Sequence, residues 1–338
     1  METLCLPATT ENIGRAALLL QNGQVIGFPT ETVYGLGADA LNEKAVRAIF
    51  AAKERPADNP LIVHVAHRAQ LKGLCKVTET ADKLMDAFWP GPLTMLLKKT
   101  ERVPDVTTAG LPSVAVRCPD HPVAFELLER CGLPIAAPSA NRSGRPSPTA
   151  AAHVYEDMQG RIPLILDGGQ CRVGVESTVL DLTGDVPCVL RPGAVTPEMI
   201  ACVAGECTVA PSVMRPLREG EAAPSPGMRH RHYAPKAKMT VFIGDEEKVV
   251  REICKRYDAA ENACILAHES SLPAFGSRRA VTLGGKPEET AHLLFSRLRE
   301  MDEQGISLIL AQGWQGNDVA LAVMNRMARA AAFDIVTL

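Results

Sequence analysis

The spacing of apolar and polar residues predicts two regions in which strands and helices are mixed. In residues 1–207, short apolar runs predict strands, and apolar residues at every third or fourth position predict amphipathic helices. The strand candidates are Gln24–Phe28, Leu61–Val65, Leu93–Leu97, Val114–Arg117, Pro134–Ala137, Leu164–Leu166 and Val179–Leu182. The helix candidates are Glu11–Gln21, Glu43–Ala52, Thr78–Phe88, Pro122–Arg130 and Pro148–Met158. This mixture favours an α/β domain.

The last hundred residues repeat the alternation more regularly. Strands are predicted at Met239–Ile243, Ala263–Ala267, Ala280–Leu283 and Ser307–Ala311, and helices at Glu246–Tyr257, Pro287–Asp302 and Asp318–Ala331. Strands separated by helices indicate a parallel sheet with helices on both faces. The pattern predicts a smaller Rossmann-like parallel α/β domain, but no G-x-G-x-x-G turn for a dinucleotide opens it.

A segment rich in proline and basic residues separates the two regions. The stretch Ala210–Pro235 holds five prolines, a density that favours an extended connector over helix or sheet. We therefore predict domains at 1–207 and 239–338, with a linker at 208–238. The linker has six basic and two acidic residues in a chain of net charge −3, which indicates contact with an anion, although a solvated linker explains the same charge.

Composition excludes several classes of protein. The 338 residues suit two domains, and the 46% hydrophobic and 22% charged content is that of a globular protein. Aromatic residues make up only 4%, which argues against a stacking platform for single-stranded nucleic acid. We see no signal peptide and no apolar run of about 20 residues, so we expect a cytoplasmic protein. The ten cysteines form no C-x-x-C pair, which predicts free thiols and no zinc site.

Two short segments near the N-terminus carry the first chemically informative residues. Segment 29–37 (PTETVYGLG) follows a predicted strand; its glycines let a ligand approach the backbone, and its hydroxyls offer hydrogen bonds. Segment 53–61 (KERPADNPL) holds Lys53 and Arg55 between a helix and a strand, where cations suit phosphate. A strand-to-helix turn and a surface charge pair are the plainer interpretations.

Three further segments complete the set. Segment 138–149 (PSANRSGRPSPT) leads into a helix whose first donors favour an anion, unless Ser147 or Thr149 simply caps that helix. Segment 174–181 (GVESTVLD) precedes Arg191 in the next hairpin, and segment 225–235 (SPGMRHRHYAP) lies in the linker. No G-x-x-x-x-G-K-[ST], H-E-x-x-H or G-x-S-x-G is present, so the chain is neither a P-loop NTPase nor a hydrolase of those types.

In this order, the five segments closely resemble the threonylcarbamoyl-AMP synthases, in the long, two-domain form of the YrdC-type family. The resemblance covers nearly all of the first domain and the linker. It implies a YrdC-like catalytic domain, a twisted open α/β sheet with a concave basic cavity. Ser113 stands where the family often has threonine, and Arg229-His230 replaces the more usual Lys-Tyr, which changes the chemistry of the linker.

The resemblance also implies roles for individual residues. Lys53 and Arg55 would be the catalytic cations. The threonine-binding positions would be Thr32, His64, Arg117, Ala137 and Ser177. The ATP-binding positions would be Arg55, Asn59, Ser113, Ser139, Asn141, Ser147, Arg191 and Tyr233. Mg²⁺ would enter with ATP, held by phosphates and water, and no protein residue is assigned as a metal ligand.

The implied reaction joins L-threonine and bicarbonate to the AMP of ATP, releasing pyrophosphate. The threonylcarbamoyl-AMP would pass to the tRNA threonylcarbamoyl-transfer machinery, which makes N6-threonylcarbamoyladenosine in ANN-decoding tRNAs. A weak contact with RNA is expected, and no contact with a membrane.

Two other functions remain open from the sequence. The carbamoyl-transfer domain of hydrogenase-maturation proteins shares the K-x-R and S-x-N motifs, but it carries zinc-binding C-x-x-C pairs that this chain lacks. A non-catalytic RNA-binding protein of the same fold would use the same basic cavity. The overall acidity and the few aromatic residues argue against it.

Overall fold

A computed structural model describes residues 1–215 and 233–338. The strands of the first range form one mixed sheet, in the order β1-β8-β2-β3-β7-β4-β6-β5-β9-β10-β11. Parallel pairs such as β4 with β6 lie beside antiparallel pairs such as β5 with β6. The strands are β1 (Leu4–Pro7), β2 (Ile26–Phe28), β3 (Gly35–Asp39), β4 (Ile62–His64), β5 (Leu93–Lys98), β6 (Ser113–Arg117), β7 (Ile135–Ala136), β8 (Leu164–Asp167), β9 (Thr178–Asp181), β10 (Cys188–Arg191) and β11 (Thr208–Val209).

Helices pack their apolar sides against this sheet in two separate cores. The larger core takes Ile49 and Leu84, and the smaller takes Leu20 and Leu127. Side-chain caps fix several helix starts; Asn42, for example, accepts hydrogen bonds from the amides of Lys44 and Ala45. The helices are α1 (Thr10–Gln21), α2 (Glu43–Lys53), α3 (Glu79–Phe88), α4 (Asp105–Thr108), α5 (Pro122–Cys131), α6 (Ala151–Met158) and α7 (Pro197–Ala204).

The second range forms a smaller sheet in which every pair of neighbours is parallel. Its order is β14-β13-β15-β12-β16. One face packs on α8 through Val249 and Ile253, and the other packs on α9 and α10 through Leu298 and Val323. The predicted parallel α/β domain is therefore confirmed. Its elements are β12 (Lys238–Ile243), α8 (Glu246–Asp258), β13 (Ala263–Ala267), β14 (Ala280–Thr282), α9 (Pro287–Glu303), β15 (Leu308–Gln312), α10 (Val319–Ala330) and β16 (Ile335–Thr337).

Segment 35–39 is a strand, where the sequence offered a backbone that a ligand can approach or a strand-to-helix turn. A side-chain carbon at Gly37 would lie 2.7 Å from the ring of Phe28 on the neighbouring strand, and one at Gly35 would lie 3.0 Å from it. The two glycines make room for the ring, so their function is packing rather than chain reversal. The sequence pattern also missed β1, β10, β11, β16 and the short helices α4 and α7.

Helix α6 begins at Ala151, three residues later than predicted. The amide of Tyr34 donates to the carbonyl of Pro148, which places that residue in an extended contact with the neighbouring segment. Ser147 and Thr149 do not cap the helix, because their hydroxyls pair with Glu176 and Ser296 instead. Tertiary hydrogen bonds thus displace the local cap that the sequence offered.

The two domains meet along α9 and α10 through buried polar contacts. Arg299 on α9 is 1% exposed and donates to Asp157 at 2.6 Å and to the carbonyl of Pro146 at 2.6 Å. Val33 and Val175 of the first domain belong to the same apolar core as the second sheet. This interface is therefore a packed interior, in which both terminal nitrogens of Arg299 pair with acceptors of the first domain. The structure contains, within its described ranges, no helix long and apolar enough to span a bilayer.

A close backbone approach between the domains predicts a sensitive glycine. Gly174 has a φ of +86°, and a side-chain carbon there would lie 2.4 Å from the carbonyl oxygen of Ala291 on α9. We expect Gly174→Ala to lower the free energy of unfolding by about 2–4 kcal/mol, through backbone strain and overpacking. Thermal or urea unfolding monitored by circular dichroism measures this loss.

Gly205→Ala is the matched control for this substitution. Gly205 has a φ of +85°, but no atom lies within 4 Å of the position of its added carbon. It should therefore show only the backbone cost, about 1–2 kcal/mol. Equal losses in the two variants would contradict the close packing of Gly174 on α9.

Candidate active site

The ends of several central strands of the first sheet surround one cavity. It encloses about 600 Å³ of atom-free space, open solvent at its mouth included. Nine of the residues predicted for the site line it: Thr32, Arg55, His64, Arg117, Ala137, Ser139, Ser177, Arg191 and Tyr233.

Three arginines give this cavity its chemical character. Arg55, Arg117 and Arg191 are 8%, 3% and 7% exposed. Guanidinium groups buried this deeply are costly unless opposite charges neutralise them. Their convergence therefore favours an anionic ligand that carries more than one negative group.

Arg117 is oriented by the segment that follows β2. Its Nη1 donates to Thr32 Oγ1 at 2.9 Å, and its Nη2 lies 2.7 Å from Glu31 Oε1, a carboxylate that is 1% exposed. Thr30 Oγ1 lies 2.9 Å from Thr32 Oγ1 and donates to the carbonyl of Val33. The guanidinium is held in one position at the cavity wall, as recognition of a carboxylate requires.

Arg191 is fixed at the cavity by Ser177, the residue that precedes β9. Its Nε donates to the carbonyl of Ser177 at 3.0 Å, its Nη2 donates to Ser177 Oγ at 3.2 Å, and Ser177 Oγ lies 2.8 Å from Thr94 Oγ1. The neighbouring Glu176 accepts from Ser147 and from Arg326 of the second domain. Burial alone would raise the pKa of Glu176, but Arg326 and Arg191 outweigh it and hold that pKa below its usual range.

Arg55 and Asn59 leave buried polar atoms without hydrogen bonds. Within the described ranges, Arg55 Nε and Nη2 and both amide atoms of Asn59 make no hydrogen bond to the protein. Buried donors of this kind are rarely left unsatisfied in a working protein, and ligands or water normally pair with them. Burial lowers the pKa of Arg55 to about 10, so the group still carries its charge at neutral pH.

Lys53 lies behind the cavity wall. It is 2% exposed, and its Nζ donates to the carbonyls of Ser139 at 2.5 Å and Asn141 at 2.6 Å. Burial and the nearby Arg55 lower its pKa. Asn141 donates in turn to the carbonyls of Arg142 and Arg145. Lys53 and Asn141 therefore shape the loop that presents Ser139 to the cavity.

The remaining predicted residues do not line the cavity. Asn59 is fully buried, Ser113 begins β6 opposite Lys98, and Ser147 lies behind Glu176. Of the linker motif, residues 225–232 lie outside the described residues. Tyr233 is 4% exposed, stacks on Phe295 with ring centroids 5.2 Å apart, and lines the cavity.

Sequence reasoning missed four residues that hold this site together. Glu31 lies in segment 29–37 and Glu176 in segment 174–181, each beside a hydroxyl residue. An acidic residue in such a segment was a signal that could have identified them. Thr94 and Arg326 lie in ordinary strand and helix sequence and offered none.

His64 remains neutral in this setting. Its Nδ1 lies 3.2 Å from the carbonyl of Ile62, and its ring meets Phe28 edge to face. Burial, together with the charge of Arg117, lowers its pKa to about 3. A neutral imidazole at the wall can pack or donate a hydrogen bond without adding positive charge.

Comparison with known proteins gives consistent matches along the chain. Residues 18–193 match the family model described as "Telomere recombination" (Sua5, YciO and YrdC), and residues 195–332 match the model described as "Threonylcarbamoyl-AMP synthase, C-terminal domain". The threonylcarbamoyl-AMP synthase of Pyrococcus abyssi is 47% identical over 95% of this chain and 94% of its own length. That of Bacillus subtilis is 42% identical over 98% and 96%.

A solved structure matches both domains together. The crystal structure of P. abyssi Sua5 complexed with L-threonine superposes with a TM-score of 0.91 at 45% identity, covering 100% of this chain and 99% of that one. The fold class predicted from the sequence is thereby confirmed.

The buried histidine gives a prediction for the pH dependence of stability. The pKa of His64 is about 3 in the folded protein and near 6.5 in the unfolded chain, so only the unfolded state takes up this proton as the pH falls below 6.5. His64 therefore contributes stability that is present above pH 6.5 and lost on acidification, about 2 kcal/mol by pH 5. We expect His64→Gln to lose less stability than wild type between pH 7 and 5 in urea unfolding.

His67→Gln is the control, since the His67 side chain is 53% exposed beside Glu129. It should not show the smaller loss of stability expected for His64→Gln. A His64→Gln curve parallel to wild type would rule out a buried neutral imidazole.

Proposed function

Because this chain belongs to the two-domain, YrdC-type threonylcarbamoyl-AMP synthase family, we propose that it converts L-threonine, bicarbonate and ATP to threonylcarbamoyl-AMP and pyrophosphate. The observation that carries this proposal is the single cavity in which Arg55, Arg117 and Arg191 are buried beside hydroxyl groups. The product would supply the threonylcarbamoyl group for N6-threonylcarbamoyladenosine in tRNA. The division of the chain at residues 207 and 238 is part of the same proposal.

The proposed reaction has two steps. The neutral amine of threonine attacks bicarbonate and gives N-carboxy-threonine and water. An oxygen of the new carboxylate then attacks the α-phosphorus of ATP, and the bond to the β-phosphate breaks to release pyrophosphate. Both steps join substrate atoms, so the protein's task is to position the reactants and balance their charge.

Different arginines of the cavity suit the two substrates. Arg117, held by Glu31 and Thr32, would pair with the threonine carboxylate. Arg55 and Arg191 would neutralise the phosphates and the charge that develops as pyrophosphate leaves. Because the three arginines line one cavity, the carbamate would form beside the α-phosphate.

Mg²⁺ would enter with the nucleotide. Arg326 pairs with Glu176, an acidic residue that lines the cavity, and Arg117 pairs with the buried Glu31. The described residues contain no cluster of three or more His, Cys, Asp or Glu side chains that could hold a metal ion. Phosphate oxygens and water therefore suit the ion better than protein ligands do. Bound to ATP, Mg²⁺ supplies charge neutralisation and makes pyrophosphate a better leaving group.

One assay tests the proposed function directly. The purified protein is incubated with ATP in four mixtures, with and without L-threonine and with and without bicarbonate, and pyrophosphate is measured while mass spectrometry identifies the adenylate. Pyrophosphate and threonylcarbamoyl-AMP should form only when both threonine and bicarbonate are present. Replacing threonine with serine or valine tests how selectively the cavity accepts its amino acid. A protein that ignores threonine but binds RNA with a steep salt dependence would instead be an RNA-binding relative.

Arg55 is the cation whose removal should reduce catalysis most directly. Arg55→Ala removes a preorganised donor at the phosphates, and we expect kcat/KM to fall by a factor on the order of 100, or about 3 kcal/mol. The variant should stay folded, because within the described ranges Arg55 Nε and Nη2 make no hydrogen bond to the protein. Arg68→Ala removes an arginine paired with Asp82 and Asp86 on the surface and is the control. Near-normal pyrophosphate release by Arg55→Ala would contradict the assignment.

Lys53 should act through the loop that it holds. Lys53→Met leaves the carbonyls of Ser139 and Asn141 without their donor, so we expect loss of most adenylate formation together with a lower melting temperature. Arg55→Ala should instead melt like wild type, and comparing activity with melting temperature separates the two roles. A Lys53→Met variant with normal stability and no activity would place Lys53 at the substrate itself.

A further inference from the structure

One side chain of the second domain reaches the wall of the cavity. Arg326 on α10 is fully buried. Its Nε donates to Glu176 Oε2 at 2.7 Å, its Nη2 donates to the carbonyl of Glu176 at 3.1 Å, and its Nη1 donates to the carbonyl of Pro192 at 2.9 Å. The guanidinium thus bridges the segment before β9 and the segment after β10.

The acceptors of Arg326 lie next to the residues that face the cavity. Glu176 precedes Ser177, and Pro192 follows Arg191. These strand ends are packed tightly, because a side-chain carbon at Gly193 would lie 2.4 Å from the amide nitrogen of Thr178. A shift of either strand end would therefore move Arg191 relative to Ser177.

The carboxylate of Glu176 is unfavourable beside an anion site unless it is neutralised. Glu176 lines the cavity with Arg191. Without Arg326 it would repel a phosphate and attract the guanidinium of Arg191 away from the ligand. Its other oxygen is already occupied by Ser147, so Arg326 is the cation that completes its hydrogen bonding.

We propose that Arg326 is a positioning residue that neutralises Glu176 and holds Arg191 towards the anionic substrate, which makes the second domain part of the active site. This inference rests on the proposed function. The rest of α10 supports it: Asn325 donates to the carbonyl of Val213, and Arg326 lies 5.8 Å above the ring of Tyr233. One helix of the second domain therefore contacts the strand ends and both described ends of the linker.

A charge-compensation experiment tests this role. Arg326→Met should raise the KM for ATP by about tenfold or more, the loss expected for a charged hydrogen bond. The KM for threonine should change much less, because Arg117 is held by Glu31 and Thr32. The double variant Arg326→Met, Glu176→Gln also lacks the carboxylate that Arg326 paired, so its ATP affinity should largely return. Arg326→Lys keeps the charge but loses the two-pronged geometry, and it should be intermediate.

Arg329→Met is the matched control for domain contact. Arg329 lies one turn later on α10 and donates to the carbonyl of Ser212 at 3.2 Å, so its removal loosens the same interface without exposing Glu176. ATP binding by this variant should match wild type in isothermal titration. Wild-type ATP affinity in Arg326→Met, or a double variant as weak as the single one, overturns the proposal.

Hydrogen exchange tests the same idea without any substrate. Peptides spanning residues 175–194 should exchange faster in Arg326→Met than in wild type or Arg329→Met. Unchanged exchange there overturns the role of Arg326 even if the wild-type protein makes no adenylate. An inactive wild type with the expected exchange pattern would instead reject only the proposed reaction.

Discussion

Guanidinium groups buried together repel one another, and the arrangement of this protein follows from how that repulsion is balanced. Arg55, Arg117 and Arg191 converge on one cavity, where their burial away from water strengthens every charge interaction. The carboxylate of Glu31 offsets the charge of Arg117, and the carboxylate of Glu176 pairs with Arg326. A net positive charge remains at the cavity, and a triphosphate can neutralise it. This net charge is the source of the cavity's selectivity for anions.

The hydroxyl groups around the cavity serve chiefly to keep these charges in place. Thr32 and Ser177 each contact an arginine, and Thr94 supports Ser177 from the neighbouring strand. Thr94 lies at the start of β5 and Ser177 directly precedes β9, where the sheet fixes the backbone, and Thr32 lies in the segment between β2 and β3. Rigid positions of this kind are what phosphoryl transfer requires when no protein nucleophile takes part.

Much of this site was visible in the sequence because strand ends and loops carry it. Ser139 and Ser177 lie in segments beside short apolar runs, and the sheet brings such ends together. Arg117 was assigned to the site only from the resemblance to the family. The strand β3 escaped detection because its glycines serve the ring of Phe28 rather than a turn. Arg299 and Arg326 could not be recognised at all, since each lies in an ordinary amphipathic helix and finds its partner more than a hundred residues away.

The interior shared by the two domains also has a mechanical consequence. Val33 and Val175 complete the apolar core of the second domain, and Tyr233 packs into it beside Phe295. Hydrophobic burial and desolvated ion pairs between the halves do not depend on the covalent connection along the chain. A protein cut once by a protease within residues 216–232 would therefore stay associated, and its two fragments would migrate together until denatured.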